Sequence, residues 1–406
     1  MSSVLETQCC INGGGPAGLT LGYLLARAGV DVVVLEKHAD FLRDFRGDTI
    51  HPSTLELMHD LGLLPEFLSL PHQRVEQFVA QFGAERLQLA DFSRLPVEAP
   101  FVAMMPQWDF LSFLANKAKA YPNFRLIMQA EGRQLLTQDG RVTGLTAATP
   151  KGDLTIKAPL TVAADGRGSQ LRAEAGLPLK DLGAPIDVLW FRLSRAPKDT
   201  EETQGRFDAG QIFITLNRGD YWQCAYVVPK GGFEAKQAAG LAAFRTELAK
   251  VAPFEAKRVN ELQDWDQIKV LSVQINRLET WWCSGLLFIG DAAHAMSPVG
   301  GVGVNLAVQD AVAAANHLAR PLRDGTLSTF DLAAVQKHRA WPTRVTQRVQ
   351  VVDQNRVLLK ALRSGASFRP PLFLRMLLRL PLLRNLPGHF VGLGVQPERP
   401  DPDLFR

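Results

Sequence analysis

A chain of 406 residues, 46% hydrophobic and 21% charged, can bury a large core and suggests two or three domains of ordinary size, which excludes a disordered protein. The net charge of +4 and the pI near 8.9 are mild, and Lys and Arg read as scattered without the dense patch that tracks a phosphate backbone, which excludes nucleic acid as a partner. Cys9, Cys10, Cys224 and Cys283 form no ligand-spaced cluster, no charged n-region with an apolar h-region follows Met1, and no apolar run reaches the roughly 20 residues of a membrane span; these features predict a cytoplasmic protein with reduced core thiols and no resident metal.

In chain order, residues 8–12 read as a short strand, Gly13-Gly14-Gly15-Pro16-Ala17-Gly18 supplies GxGxxG, and Leu19 to Ala28 reads as a helix ended by Gly29. A second strand, Val30 to Leu35, ends at Glu36. Gly13 permits the tight turn, Gly15 lets the backbone approach a pyrophosphate, and Gly18 lets helix and strand pack closely. The helix that Pro16 and Ala17 open presents free N–H groups to the anion. Glu36, 18 residues past Gly18, stands where an acid accepts hydrogen bonds from a ribose diol. A glycine-rich turn alone is a weak signal, but strand, helix, strand and acid in register make a dinucleotide site that fits NAD and FAD equally.

Arg43, Asp44, Arg46 and Gly47 precede a helix from about Ser53 to Leu61; strands are predicted at Val75 to Phe82 and Arg86 to Phe92, and a helix at Trp108 to Ala120 with Gln107 at its start. The strand Leu160 to Ala164 opens into Asp165-Gly166-Arg167-Gly168-Ser169-Gln170-Leu171-Arg172, before a short helix closing at Gly176. Strands at Val188 to Leu193, Gln211 to Asn217 and Tyr221 to Val228 follow, the last two joined by the hairpin turn Asn217-Arg218-Gly219-Asp220. The strand Gly285 to Ile289 opens into Gly290-Asp291-Ala292-Ala293-His294 and a glycine-rich loop after Pro298. Asn305 to Leu318 then reads as a helix whose N-terminus favours negative charge.

With GxGxxG, DG and GD in this order and spacing, the sequence resembles the p-hydroxybenzoate hydroxylase-like flavoprotein monooxygenases from about residue 8 to about residue 320. The resemblance implies an α/β fold in which a Rossmann-like FAD-binding domain (1–74, 101–180 and 276–320) is interleaved with an antiparallel β-sheet substrate domain (75–100 and 181–275), followed by a C-terminal helical region (321–406). It implies that FAD is held by Gly13, Gly15, Pro16, Ala17, Gly18, Glu36, Arg46, Gln107, Asp165, Gly290, Asp291, Pro298, Gly301, Gly303, Val304 and Asn305, with Ser169 and Arg172 completing DGxxSxxR. Asp291, a carboxylate at a strand end, suits ribityl hydroxyls, and the helix N-terminus beyond Pro298 suits the negative charge of reduced flavin. For Arg46 a solvated basic residue is the competing reading, and His294 reads as a packing residue before a proton-transfer group.

In this family the antiparallel sheet roofs the flavin and forms most of the substrate pocket, so Trp190, Phe213, Trp222, Cys224 and Pro298 are the substrate-side candidates. Alternation along a strand tells which side chains share a face, not which face is inward. No catalytic protein side chain is assigned. The second GxGxxG of a nicotinamide domain is absent, so NAD(P)H is expected to bind transiently; CxxxxC and WxWxIP, the marks of disulfide reductases and halogenases, are absent too. Helices are predicted at about Phe330 to Leu362 and Phe368 to Leu386; Arg369 to Arg384 mixes bases with Leu and Phe, but Pro370, Pro371, Pro381 and Pro387 favour packing over a membrane-surface helix.

The resemblance implies hydride transfer from NAD(P)H to FAD, reaction with O2 to a C4a-hydroperoxide, and insertion of one oxygen atom into an aromatic, polyketide or quinone-like small molecule by a monomer or homodimer. A reductase or dehydrogenase on the same fold, and a non-catalytic flavin-binding redox sensor, are the alternatives.

Overall fold

The computed structural model describes residues 3–42, 49–208, 210–364, 368–370, 372, 375–376, 380, 383 and 385–405. Three short β-rich stretches, far apart in sequence, meet as neighbours in one parallel sheet. Its order is Trp282–Cys283, Leu286–Phe288, Leu160–Ala163, Cys9–Asn12, Val32–Glu36 and Phe124–Met128, and only the edge strand Trp282–Cys283 runs antiparallel. Cys9–Asn12, Val32–Glu36 and Leu160–Ala163 are buried along their whole length, as strands covered on both faces must be. Burial pushes the Cys10 thiol up to about 12 and Cys9 well above its usual value, so this adjacent pair stays protonated and inert.

On one face lie the helices Pro16–Arg27 and Val302–Arg323, sharing an apolar core with Gln107–Ala118. The other face is covered by a four-stranded sheet of Ser3–Glu6, Gly152–Lys157, Arg141–Thr149 and Glu131–Gln138, none of which the sequence reading picked out.

A second, seven-stranded sheet has the order Lys269–Ser272, Ile186–Ser194, Tyr221–Pro229, Gln211–Asn217, Gln204–Asp208, Gln77–Phe82 and Glu85–Asp91. It is antiparallel except where Gln204–Asp208 meets Gln77–Phe82. The hairpin at residues 217–220 forms as expected. The helices Gly232–Ala239 and Leu241–Val251 cover one of its faces.

The C-terminal helix runs as Thr329–Asp353, passes through a π-helical turn, Gln354–Leu358, and ends as Leu359–Arg363. Much of the helix expected at Phe368 to Leu386 falls outside the described residues; Leu386–Gly392 is helical. The tail then returns to the body of the molecule, where Leu404 and Phe405 join the core beside the first helix.

Candidate active site

The C-terminal ends of adjacent parallel strands are where an open α/β sheet leaves a crevice for a ligand. Here they carry GxGxxG, the DG segment, the GD segment and Glu36, side by side. Gly13 has φ +118°, and a Cβ on it would stand 2.3 Å from the Ala164 carbonyl oxygen, so the glycine turn abuts the DG strand. A Cβ on Gly18 would lie 1.9 Å from Gly13 O; only glycine allows this helix to start so close to its strand. Gly290, at φ +59°, leaves just 3.1 Å between an added Cβ and the Ala17 methyl, which joins the GD segment to the first helix. Gly15 differs, since a Cβ there would meet nothing within 4 Å. The open ground in front of it lies at the N-terminus of the Pro16–Arg27 helix, where the dipole and unpaired N–H groups attract an anion.

Polar contacts tie the segments together. Glu36 is buried and accepts from Gly14 N at 3.1 Å and His38 N at 3.0 Å. Asn12 donates to Asp165 at 3.4 Å while accepting from Gly132 N at 3.2 Å. Asp165 also receives Gln170 N at 3.1 Å, and burial raises its pKa against these bonds; its Oδ1 is buried without a partner among the described residues. Ser169 caps the next helix by accepting from Arg172 N at 3.0 Å. Two arginines of the DG segment reach the GD segment: Arg167 pairs with Asp291 at 3.2 Å and Arg172 donates to Ala292 O at 3.0 Å. Arg167 was not expected to matter. Its sequence position flags it only in hindsight, since the partner lies more than a hundred residues away.

Beyond Pro298, the loop Val299–Gly301 has two positive-φ glycines, Gly300 at +76° and Gly301 at +67°. The long helix starts at Val302, three residues before the expected Asn305, so Gly303, Val304 and Asn305 form its first turn. Asn305 is buried; its side-chain oxygen accepts from Ser53 and Thr54, and its amide nitrogen has no partner among the described residues. A buried amide N–H without an acceptor is costly unless a ligand supplies one. Together with the open ground before Gly15, it is what a site shaped for FAD would show, and the residues present fit that cofactor.

Several side chains outside the motifs hold this loop. His51 bridges Gly301 O at 3.1 Å and Val391 O at 2.9 Å, and burial lowers its pKa to about 4. A neutral ring can donate to only one of two carbonyls. From the C-terminal helix, Gln350 donates to Ser297 O at 3.0 Å and Val299 O at 3.3 Å, Gln347 to Ala295 O at 3.1 Å, and Gln354 to the Ser297 hydroxyl.

Beneath the GD segment lies a buried charge network. Asp310 accepts from Gly290 N at 3.0 Å, His294 at 2.6 Å and Arg339 at 3.1 Å. Burial pushes its pKa up, but His294 and Arg339 outweigh it and hold the carboxyl below the usual range. Arg339, with no exposed surface, also reaches Glu398 at 2.8 Å. His294 is thus a packed, bonded residue whose ring lies 4.8 Å from that of Trp281 at a 41° tilt.

The substrate-side expectations divide. Residues opposite each other in an antiparallel pair share a face, and Phe191↔Cys224, Leu193↔Trp222 and Phe213↔Tyr226 all share one. That face is packed under Phe244, Leu248 and Val251 of the covering helix. Phe213, Trp222 and Cys224 are therefore core residues turned away from the glycine loop, and their assignment to the pocket is corrected. Trp190, opposite Ala225, is on the other face, in the apolar cluster that Val299 joins; its indole N–H is buried without a partner among the described residues. Gln107 is the first residue of its helix. Arg46 lies outside the described residues.

Comparison with known proteins fits this geometry. Residues 6–349 match the family described as FAD binding domain. A 6-methylpretetramide 4-monooxygenase of Streptomyces rimosus is 31% identical over 402 residues, 98% of this chain and 95% of its own. Among solved structures, p-nitrophenol 4-monooxygenase from Pseudomonas putida superposes with TM-score 0.75 at 20% identity, covering 97% of this chain and 100% of the other. An anhydrotetracycline hydroxylase from Streptomyces rimosus gives 0.73 at 22% identity, with 96% and 76% coverage.

Proposed function

The chain belongs to the FAD binding domain family, and on that premise we propose that this FAD-dependent monooxygenase hydroxylates a fused-ring phenol of polyketide type, with NAD(P)H as the electron donor. The observation that carries the substrate class is the 31% identity, sustained over nearly the whole of both chains, to an enzyme whose name gives 6-methylpretetramide as its substrate. Supporting it, the half-buried Trp190 and Ile214 lie on the sheet face that Val299 joins, beside Ile212, Ala225 and Val227, which are buried in one cluster with Leu358 and Ala361 of the C-terminal helix. The half-buried apolar edge at Trp190 and Ile214 suits a flat ring, and the unpartnered Trp190 N–H suits an oxygen on its rim.

Bound FAD supplies the acceptance of hydride from the nicotinamide and the activation of dioxygen. The chain's own work is placement and electrostatics. The open ground at Gly15 and the N-terminus of the first helix take the diphosphate, and Glu36 takes the adenosine ribose. Asp291 would accept hydrogen bonds from the ribityl chain, and Arg167 holds that carboxylate at the strand end. The Asn305 amide, left without an acceptor among the described residues, would donate to the flavin, and the N-terminus of Val302–Arg323 would favour negative charge beside it. Trp190 and Pro298 would flank the substrate, and their apolar surroundings would exclude water.

The deciding experiment follows NAD(P)H and O2 consumption with a panel of phenols, quinolones and tetracyclic polyketides, then reads oxygen-18 in the product by mass spectrometry. Labelled product from a fused-ring phenol supports the reading. Turnover that yields unlabelled product assigns the protein to reductase chemistry, and label only in single-ring phenols removes the polyketide assignment.

A further inference from the structure

The cations gather toward the C-terminal part of the chain, against the scattered distribution expected above. Between Gln336 and Arg384 the chain carries eleven Lys and Arg residues and a single acid, Asp353, which leaves the remainder with more acids than bases although the whole is at +4. Asp353 lies on the inner side of its helix, half-hidden, where burial raises its pKa. Lys337, Arg344, Arg348, Arg356 and Lys360 are exposed, and no ion pair joins any of them to an acid among the described residues.

The same stretch exposes apolar side chains where a globular surface would not gather them. Exposed Trp341, half-buried Val345, and exposed Arg348 and Val352 follow at i, i+4, i+7 and i+11, so they form one stripe along the helix. Phe330 and Lys337 extend it to about 33 Å. Trp341 is 56% exposed and Phe330 85%. Further along, Leu372, Met376, Leu380 and Leu386 are also exposed, in a segment where Arg369 is exposed as well. No helix among the described residues is long and apolar enough to cross a membrane.

We propose that this cationic C-terminal helix with its exposed apolar stripe, from Phe330 to Arg363, docks the enzyme on an anionic phospholipid surface, with Trp341 and neighbouring apolar side chains at the headgroup boundary and Lys337, Arg344, Arg348 and Arg356 over the acidic lipid. Charge decides between occupants. A second copy would bring one cationic stripe against another, which repels. A bilayer supplies negative charge and accepts scattered apolar side chains without a shaped groove, and Trp favours that boundary.

The test is cosedimentation of the FAD-loaded enzyme with vesicles of phosphatidylglycerol and phosphatidylcholine in equal parts, against pure phosphatidylcholine. Binding is expected to the first only and to fall as salt screens the charges. Each cation near such a surface contributes about five-fold to partition, so Arg344→Glu with Arg348→Glu should weaken it by at least about 25-fold, and Trp341→Ala by several-fold. Melting temperature and turnover of a soluble substrate in these variants should match the wild type, which separates lost docking from lost folding and leaves the oxygenation reading untouched. Failure to bind anionic vesicles, equal binding to neutral ones, or binding unchanged in the charge-reversed variant would overturn the proposal. Capture by an acidic polypeptide without vesicle binding would also overturn it, and would give the region to a protein partner.

Discussion

Asn305 has its side-chain oxygen occupied by Ser53 and Thr54 and its nitrogen left over. A substitution there separates the two duties. Asn305→Asp keeps an acceptor and removes the donor while placing a carboxylate beside the flavin, so FAD should bind ten- to a hundredfold more weakly, from the loss of about 1–3 kcal/mol; titration of the flavin-stripped variant with FAD checks this. His51 gives a pH dependence with a definite sign. Burial holds its pKa at about 4 against 6.5 in a free chain, so the fold keeps the neutral ring and the unfolded chain takes the proton first. Stability is complete above about pH 6.5 and declines toward pH 4, by about 3 kcal/mol in all. Asp353, pushed up to about 6, runs the other way over the lower part of that window. The measurement is therefore the difference in melting temperature between wild type and His51→Asn across it, which should narrow as pH falls. A constant difference would mean that the ring already carries its proton in the fold.

At the scale of the element, the two ends of the GxGxxG turn predict opposite outcomes. Gly15→Ala adds a methyl to open ground at an ordinary backbone conformation, so the flavin-stripped protein should keep its stability within about 0.5 kcal/mol while FAD affinity falls at least about tenfold, because the methyl occupies the diphosphate's place. Gly18→Ala sets a methyl against Gly13 O and should lower the melting temperature of the stripped protein itself. The C-terminal helix carries the other element-scale prediction. Arg339→Met leaves Asp310 and Glu398 buried without their shared cation and should cost about 3–5 kcal/mol in unfolding titrations. Arg339→Lys restores charge but not the fork that reaches Asp310, Glu398 and Gln396 O, so its stability should fall in between.

Turn chemistry is local, which is why Gly13, Gly18 and the hairpin at Asn217 to Asp220 could be read from the sequence. Facing is not. Trp190 and Cys224 differ in parity, but what each parity meets is decided by residues further along the chain, Phe244 and Leu248 on the Cys224 face and Leu358 and Ala361 on the Trp190 face. Likewise Arg167–Asp291 and Arg339–Asp310–Glu398 join positions with no common local pattern, and the sheet built from Arg141–Thr149 and its neighbours was hidden because its strands are partly exposed and short of apolar alternation.

Over the whole molecule, the tail from residue 386 binds distant parts at once. Val391 packs with Met296, Val302 and Leu306, Leu393 O accepts from Gln309 at 3.0 Å, Arg399 pairs with Asp60, and Leu404 and Phe405 enter the core. A chain ending at residue 385 should therefore melt at a lower temperature and release flavin more readily, as differential scanning and filtration with FAD would show. The sheet has a further consequence during synthesis. Strand Cys9–Asn12 pairs on one side with Val32–Glu36, made soon after it, but lies on the other side against Leu160–Ala163, and that strand beside Leu286–Phe288, so one edge of Cys9–Asn12 must wait for partners made much later. At about 5–20 residues per second the last of them follows by roughly 15–55 seconds, during which the nascent N-terminal half exposes bare strand edges to chaperones and cannot yet turn yellow.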